Sequence, residues 1–121
     1  MLEGTLFTII NQNVEGQEAD FEVRLNAAHP IYGGHFPGDP VTPGVCILQM
    51  ACDMMEKIRG NALYIQTLKN VKFMNVIRPN EVPCVHFHFD WTENADAIVA
   101  KCLVINESTT FAKINFTLQT R

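Results

Sequence analysis

The segment PGVCILQMACDMMEKIR, residues 43–59, limits the fold more than any other part of the chain. Pro43 suits the first position of a helix, because its missing N–H would have no intrahelical partner there. Thr42 just before it is an N-cap candidate, and Gly60 offers the left-handed residue on which helices commonly end. Inside that helix Val45, Cys46, Ile47, Leu48, Met50, Ala51, Cys52, Met54 and Met55 leave almost no polar face. A surface helix carries an apolar stripe, whereas a helix apolar nearly all round has to be enclosed by the rest of the fold. The polar breaks in the run are Gln49 and Asp53, spaced i, i+4 and so stacked on one face.

The enclosing material reads as sheet. Residues 6–13 and 18–25 predict two strands joined by the polar turn VEGQE, the second alternating with Phe21, Val23 and Leu25 on one face. After the helix, 63–77 predicts a long bent strand, followed by strands over 82–91, 97–106 and 109–119. In VHFHFDW the apolar face is Val85, Phe87, Phe89 and Trp91, with His86 and His88 opposite. Thr110, Ala112, Ile114, Phe116 and Leu118 share a face of the last strand. The order ββαββββ with one enclosed helix predicts an α+β fold: an antiparallel sheet curled around that helix, in a single domain spanning 1–121. Such a sheet leaves edges to be covered, which edge-to-edge pairing in a dimer would do.

Composition excludes several classes of function. The net charge of −4 does not suit a nucleic-acid footprint. No apolar run reaches the roughly 18 residues of a membrane span. The N-terminus lacks a basic and apolar leader pattern, so a cytoplasmic location is expected. Cys46, Cys52, Cys84 and Cys102 show no paired spacing and read as reduced thiols in apolar surroundings. His86 and His88 have no third ligand at a metal-binding spacing and read as a surface pair; no metal and no cofactor is expected. Residues 57–80 carry Lys57, Arg59, Lys69, Lys72 and Arg78 without one acidic residue. That is either a solvated face or a docking patch for an acidic partner.

One stretch carries chemistry. GHFPGDPVTPGVCILQM, with NVKFMNVIRPNE downstream, resembles the FabZ/FabA group of (3R)-hydroxyacyl-acyl-carrier-protein dehydratases, whose pattern is approximately HFPGxPxxPGVLxxE. His35, Phe36, Pro37, Gly38, Pro40, Pro43, Gly44 and Val45 match it, and Lys72, Phe73 and Pro79 echo the second block. The resemblance implies a hotdog fold and a site for acyl thioesters. It implies His35 as the base that takes the C2 proton, and the Gly44 N–H at the helix N-terminus as a donor to the thioester carbonyl. Phe36, Pro43 and Val45 would complete the substrate contacts. It further implies an acidic acyl carrier protein as partner and a homodimer or larger homo-oligomer, because in this group histidine and acid come from different subunits.

The resemblance breaks at the acid. The group places Glu or Asp fourteen residues after the histidine, and Gln49 stands there instead. An amide can hydrogen-bond a hydroxyl but cannot deliver a proton as a carboxylic acid does, and losing a general acid typically costs about 10²–10⁴ in rate. The FabZ type often has Gln four residues beyond its Glu, where this chain has Asp53, so carboxylate and amide have changed places. Asp53 is either a structural residue or one acting through Gln49 or a water. Three functions are compatible with these residues: a dehydratase, a half-site subunit in a heterodimer with a homologue that supplies the carboxylate, and an acyl thioesterase. Met50, Met54 and Met55 read equally as core or as the lining of an acyl tunnel.

Overall fold

A computed structural model describes residues 2–33 and 38–121. The elements are β1 (Phe7–Glu15), β2 (Glu18–Leu25), a one-turn helix α1 (Pro30–Gly33), α2 (Gly44–Arg59), β3 (Leu63–Phe73), β4 (Cys84–Asn94), β5 (Ala97–Asn106) and β6 (Thr109–Thr120). The strands form one antiparallel sheet in the order β1-β2-β4-β5-β6-β3. The chain leaves β2, runs through α2 across one face of the sheet, and returns as β3 on the far edge. This is the hotdog arrangement, with β1 and β3 as its two edges.

Alternation decides which face meets the helix. Phe21, Val23 and Leu25 of β2, Val85, Phe87, Phe89 and Trp91 of β4, and Ile98, Ala100, Cys102 and Val104 of β5 are buried together with Ala112, Ile114, Phe116 and Leu118 of β6. Ile47, Met50, Ala51, Met54 and Met55 of α2 join them in one continuous core. Each large side chain removed from water there stabilises the fold by about 1.5–3 kcal/mol, so this layer, and not helix propensity, holds α2. Met50, Met54 and Met55 are at most 1% exposed and are core residues. Phe21 and Phe89 add an edge-to-face contact at 5.9 Å. All four cysteines are free. No helix among the described residues is long and apolar enough to cross a membrane.

The connection after β2 contains a helical turn, Pro30–Gly33, which buries Tyr32. Three local expectations are corrected. Thr42 does not cap α2; Pro43 occupies the N-cap with φ −63° and ψ 145°, and no side chain closes that end. The reason is that the Thr42 hydroxyl is taken by the hydroxyl of Tyr32, 3.0 Å away. β3 stops at Phe73 instead of reaching 77, because the Met74 N–H turns to the Phe111 carbonyl and the Asn75 side chain donates to the Thr110 carbonyl. The helix is also not enclosed along its whole length. Val45 in its first turn is 73% exposed. At the other end Gly60 is left-handed, φ 75°, and its N–H returns to the Glu56 carbonyl as expected of a C-cap.

Candidate active site at the helix N-terminus

On either side of residues 34–37, Tyr32 and Thr42 are tied to each other. The Tyr32 and Thr42 hydroxyls meet at 3.0 Å in a buried position, and the Thr42 N–H donates to the Ile77 carbonyl at 2.9 Å. Burial pushes the Tyr32 phenol above its ordinary range, so this hydroxyl stays protonated. His35 and Phe36, the expected base and its neighbour, lie outside the described residues.

Pro43 then delivers the chain into α2. Its carbonyl accepts from the N–H groups of Cys46 and Ile47 at 3.0 and 3.2 Å. The N–H groups of Gly44 and Val45 precede the first intrahelical bond, and no carbonyl among the described residues takes them. A helix N-terminus left open in this way attracts negative charge through its free donors and its dipole, and no acidic side chain occupies the first turn. Phe73 lies directly over it. A Cβ on residue 44 would stand 2.9 Å from Phe73 Cζ and 3.0 Å from Cε2, so any larger residue there has to displace the ring. Thr42, Pro43, Gly44, Ile47, Phe73 and Ile77 are among the residues lining a cavity of about 260 Å³ here.

Val45, Gln49 and Asp53 follow one another along a single face of α2. Val45 and Gln49 are exposed, whereas Asp53 is 3% exposed. The Gln49 Nε2 donates to Asp53 Oδ1 at 2.7 Å, and the Leu2 backbone N–H donates to Asp53 Oδ2 at 2.6 Å. Gln49 and Asp53 border a second cavity of about 430 Å³, shared with Tyr64, Ile65 and Arg121. Cys52 also lines it, but burial, then the nearby Glu56 and Asp53 carboxylates, push its thiol up to about 11. It is therefore no nucleophile near neutral pH. Burial raises the Cys46 thiol as well.

The five basic residues read as a solvated face or a docking patch have separate surroundings. Lys57 pairs with Glu3 at 3.2 Å, Arg59 with Glu93 at 2.9 Å, and Arg78 with Asp39 at 3.2 Å and Glu81 at 3.7 Å. Lys72 of β3 stands in register with Lys113 of β6 on the face of the sheet away from α2, and Lys69 lies beside Lys101 there. His86 and His88 sit on the outer face beside β2 carboxylates: His86 Nε2 is 3.7 Å from Glu22, and His88 Nδ1 is 2.7 Å from Asp20. Phe73 was legible in the sequence as part of a motif, whereas the Tyr32–Thr42 and Leu2–Asp53 bonds join residues with no sequence pattern linking them.

The family model for the ApeI dehydratase matches residues 11–113. The chain belongs to the ApeI-like dehydratase family. Among curated proteins, it is 32% identical to the 3-hydroxyacyl-[acyl-carrier-protein] dehydratase FabZ of Lactiplantibacillus plantarum over 85 residues, covering 64% of this chain and 50% of that protein. It is 37% identical to the FabZ of Lactobacillus helveticus over 62 residues, 46% of this chain and 42% of that one. The chain thus spans about half the length of the curated relatives it matches. Among solved structures, the ApeI:P dehydratase heterocomplex of Xenorhabdus doucetiae superposes with a TM-score of 0.73 at 18% identity, over 93% of this chain and 96% of that one. The PaaI protein of E. coli superposes at 0.70 and 10% identity, over 99% and 83%. Both share the hotdog fold.

Proposed function

We propose that this ApeI-like protein dehydrates carrier-bound 3-hydroxyacyl thioesters, with His35 as the base. The observation that carries the reading is the open N-terminus of α2, set immediately after the histidine motif and roofed by Phe73. Removing a proton from C2 of a thioester drives negative charge onto the carbonyl oxygen. The free N–H groups of Gly44 and Val45 offer donors for that charge, the kind of stabilisation that is usually the largest catalytic term. Pro43, Gly44, Val45 and Phe36 then hold the thioester. The C2–C3 double bond forms as the C3–O bond breaks. The hydroxyl leaves as water on taking a proton, either the one His35 removed from C2 or one given by a carboxylic acid of a partner chain, in a redox-neutral elimination. The acyl group arrives on an acidic carrier protein, for which Lys69 and Lys72, joined by Lys101 and Lys113, form the basic surface; charge reversal at Lys69 and Lys72 weakens carrier binding, and unchanged affinity overturns that docking site.

The second copy belongs to the same proposal. β3 is an edge strand, and Leu68 and Phe73 on its helix side, with Val45 on α2, leave apolar surface 46%, 50% and 73% exposed. Pairing β3 with β3 of another subunit covers this surface and brings a second chain against Gln49. One feature favours a heteromeric form of the enzyme: Gln49 stands where the acid is expected and its amide is already bound to Asp53. In a heterodimer a homologous chain contributes the carboxylate, and a related solved structure is named a heterocomplex. A thioesterase using Asp53 to activate water fits less well, because both of its oxygens are engaged.

The deciding experiment is mass spectrometry of 3-hydroxyacyl carrier protein incubated with pure protein. Loss of water is expected, abolished in His35→Ala and accelerated by about 10²-fold or more in Gln49→Glu. Turnover that survives His35→Ala overturns the assignment of the base. Release of free acid and carrier thiol makes the protein a thioesterase. Silence of the pure chain, with activity restored by a homologous partner, makes it a half-site.

A further inference from the structure

Asp53 is nearly inaccessible, yet it makes no ion pair among the described residues. Each of its carboxylate oxygens accepts one N–H: Oδ2 that of Leu2 at 2.6 Å, and Oδ1 that of the Gln49 side chain at 2.7 Å. A carboxylate has only acceptors, so the amide end facing it must be Nε2. Turning the amide over would set Oε1 against another acceptor at hydrogen-bond distance. The orientation of Gln49 is thus dictated by chemistry. It leaves Oε1 as the free end of an exposed side chain, bordering the cavity lined by Tyr64, Ile65 and Arg121, and no donor among the described residues reaches it.

We infer that Asp53 is a positioning residue that sets the polarity of Gln49, so that this site presents a hydrogen-bond acceptor and selects acyl thioesters bearing a 3-hydroxyl over those bearing a 3-oxo group. The inference rests on the acyl-thioester reading above and adds a direction to it. A hydroxyl donates to Oε1, whereas a ketone oxygen meets a second acceptor and loses the contact. A site arranged for one hydrogen-bonding partner rejects the analogue that cannot make the bond. The tie to Leu2 matters to the mechanism of the switch. It holds the far oxygen of Asp53, so the near oxygen cannot swing away from Gln49.

Asp53→Asn is the informative substitution, since it keeps the shape. The carbonyl of the new side chain stays with the Leu2 N–H, which leaves its NH₂ toward Gln49. Gln49 then turns to accept, and its own NH₂ becomes the free end. Binding of matched 3-hydroxyacyl- and 3-oxoacyl-pantetheine, made as non-reactive amide analogues, is measured by calorimetry on wild type, Asp53→Asn and Gln49→Met. Wild type is expected to favour the hydroxy probe. The ratio should fall by about tenfold in Asp53→Asn, the worth of one hydrogen bond, and by a similar factor in Gln49→Met, whose thioether is only a weak acceptor. A purely structural Asp53 would weaken both probes equally. A ratio unchanged in both variants overturns the inference and leaves the acyl-thioester reading standing. The side-chain ¹⁵NH₂ signal of Gln49 reads the polarity without any ligand: a proton shifted downfield in wild type and restored in Asp53→Asn is expected, and its absence in wild type overturns the inference. If neither probe binds wild type, the acyl-thioester reading falls with the ligand preference, and the amide signal alone decides whether Asp53 orients Gln49.

Discussion

In the proposed reaction Gln49 and Gly44 make different demands. Replacing Gln49 by Glu sets a carboxyl beside the buried carboxylate of Asp53, at a spacing now 2.7 Å. Two carboxyls so close cannot both ionise easily, so the pair holds a proton to higher pH than an isolated carboxyl would. Gln49→Glu should therefore dehydrate fastest on the acid side of neutrality and lose rate as pH rises through the upper pKa of the pair. A pH–rate profile checks this, and a flat profile would show that residue 49 is not the proton donor. Gly44 is constrained by space. Gly44→Ala brings a Cβ to 2.9 Å from Phe73 Cζ, and the ring, half exposed, can move aside. Stability should change by less than about 1 kcal/mol, below the usual penalty of overpacking a closed core. Turnover should fall by roughly 10²-fold, because the displaced ring and new methyl crowd the donors and misplace the thioester. Equal losses in melting temperature and rate would reveal a folding defect instead.

At the level of elements, α2 and β3 behave as one unit. The helix supplies the donors and the amide, and β3 supplies Phe73 above them and the open edge beside them. Leu68 lies on the helix-facing side of β3, opposite Phe116, and is 46% exposed. Leu68→Glu should leave the subunit folded while placing like charges at a symmetric β3 seam. Juxtaposed like charges cost several kcal/mol, so the dimer dissociation constant should rise by roughly 10²-fold or more, measured by analytical ultracentrifugation. A dimer that survives this change pairs through another surface. The elements themselves were legible in sequence wherever alternation was strong. β2 and β4 emerge with the apolar faces expected, and β6 does from Ala112 onward, because the period of two leaves no alternative once one face is buried. At the start of β6 a register shift buries Phe111 in place of the expected Thr110. β3 was overextended to residue 77, since its apolar residues continue past the point where Asn75 and Met74 bond to the β5–β6 hairpin. The N-cap was misread for the same reason, as Thr42 answers to Tyr32 across a loop.

For the whole molecule, alkaline pH exposes how the core is built. The Cys52 thiol is pushed up to about 11 from an ordinary 9.0 by burial and then by neighbouring carboxylates, and burial raises Cys102 and Cys46 too. A group whose folded pKa is raised contributes stability that is complete below the unfolded value and lost as pH climbs toward the folded one. Between pH 9 and about 11 the unfolded chain gives up these protons first, so the melting temperature should fall across that window. Cys102→Ala, in a double variant with Cys52→Ala, should flatten the slope even if it lowers the plateau; an unchanged slope would place the effect elsewhere. The sequence by itself determined an enclosed helix, the alternating strands that must enclose it, and a histidine loop feeding the helix N-terminus, since periodicity and backbone constraint act over neighbouring residues. Only the tertiary structure decided that Phe73 packs against Gly44 while Val45 in the same turn stays exposed. It also decided that Asp53 is held by Leu2 and turns the amide of Gln49. Those outcomes depend on contacts between residues far apart in the chain, where hydrogen-bond partners are chosen by packing and leave no local pattern.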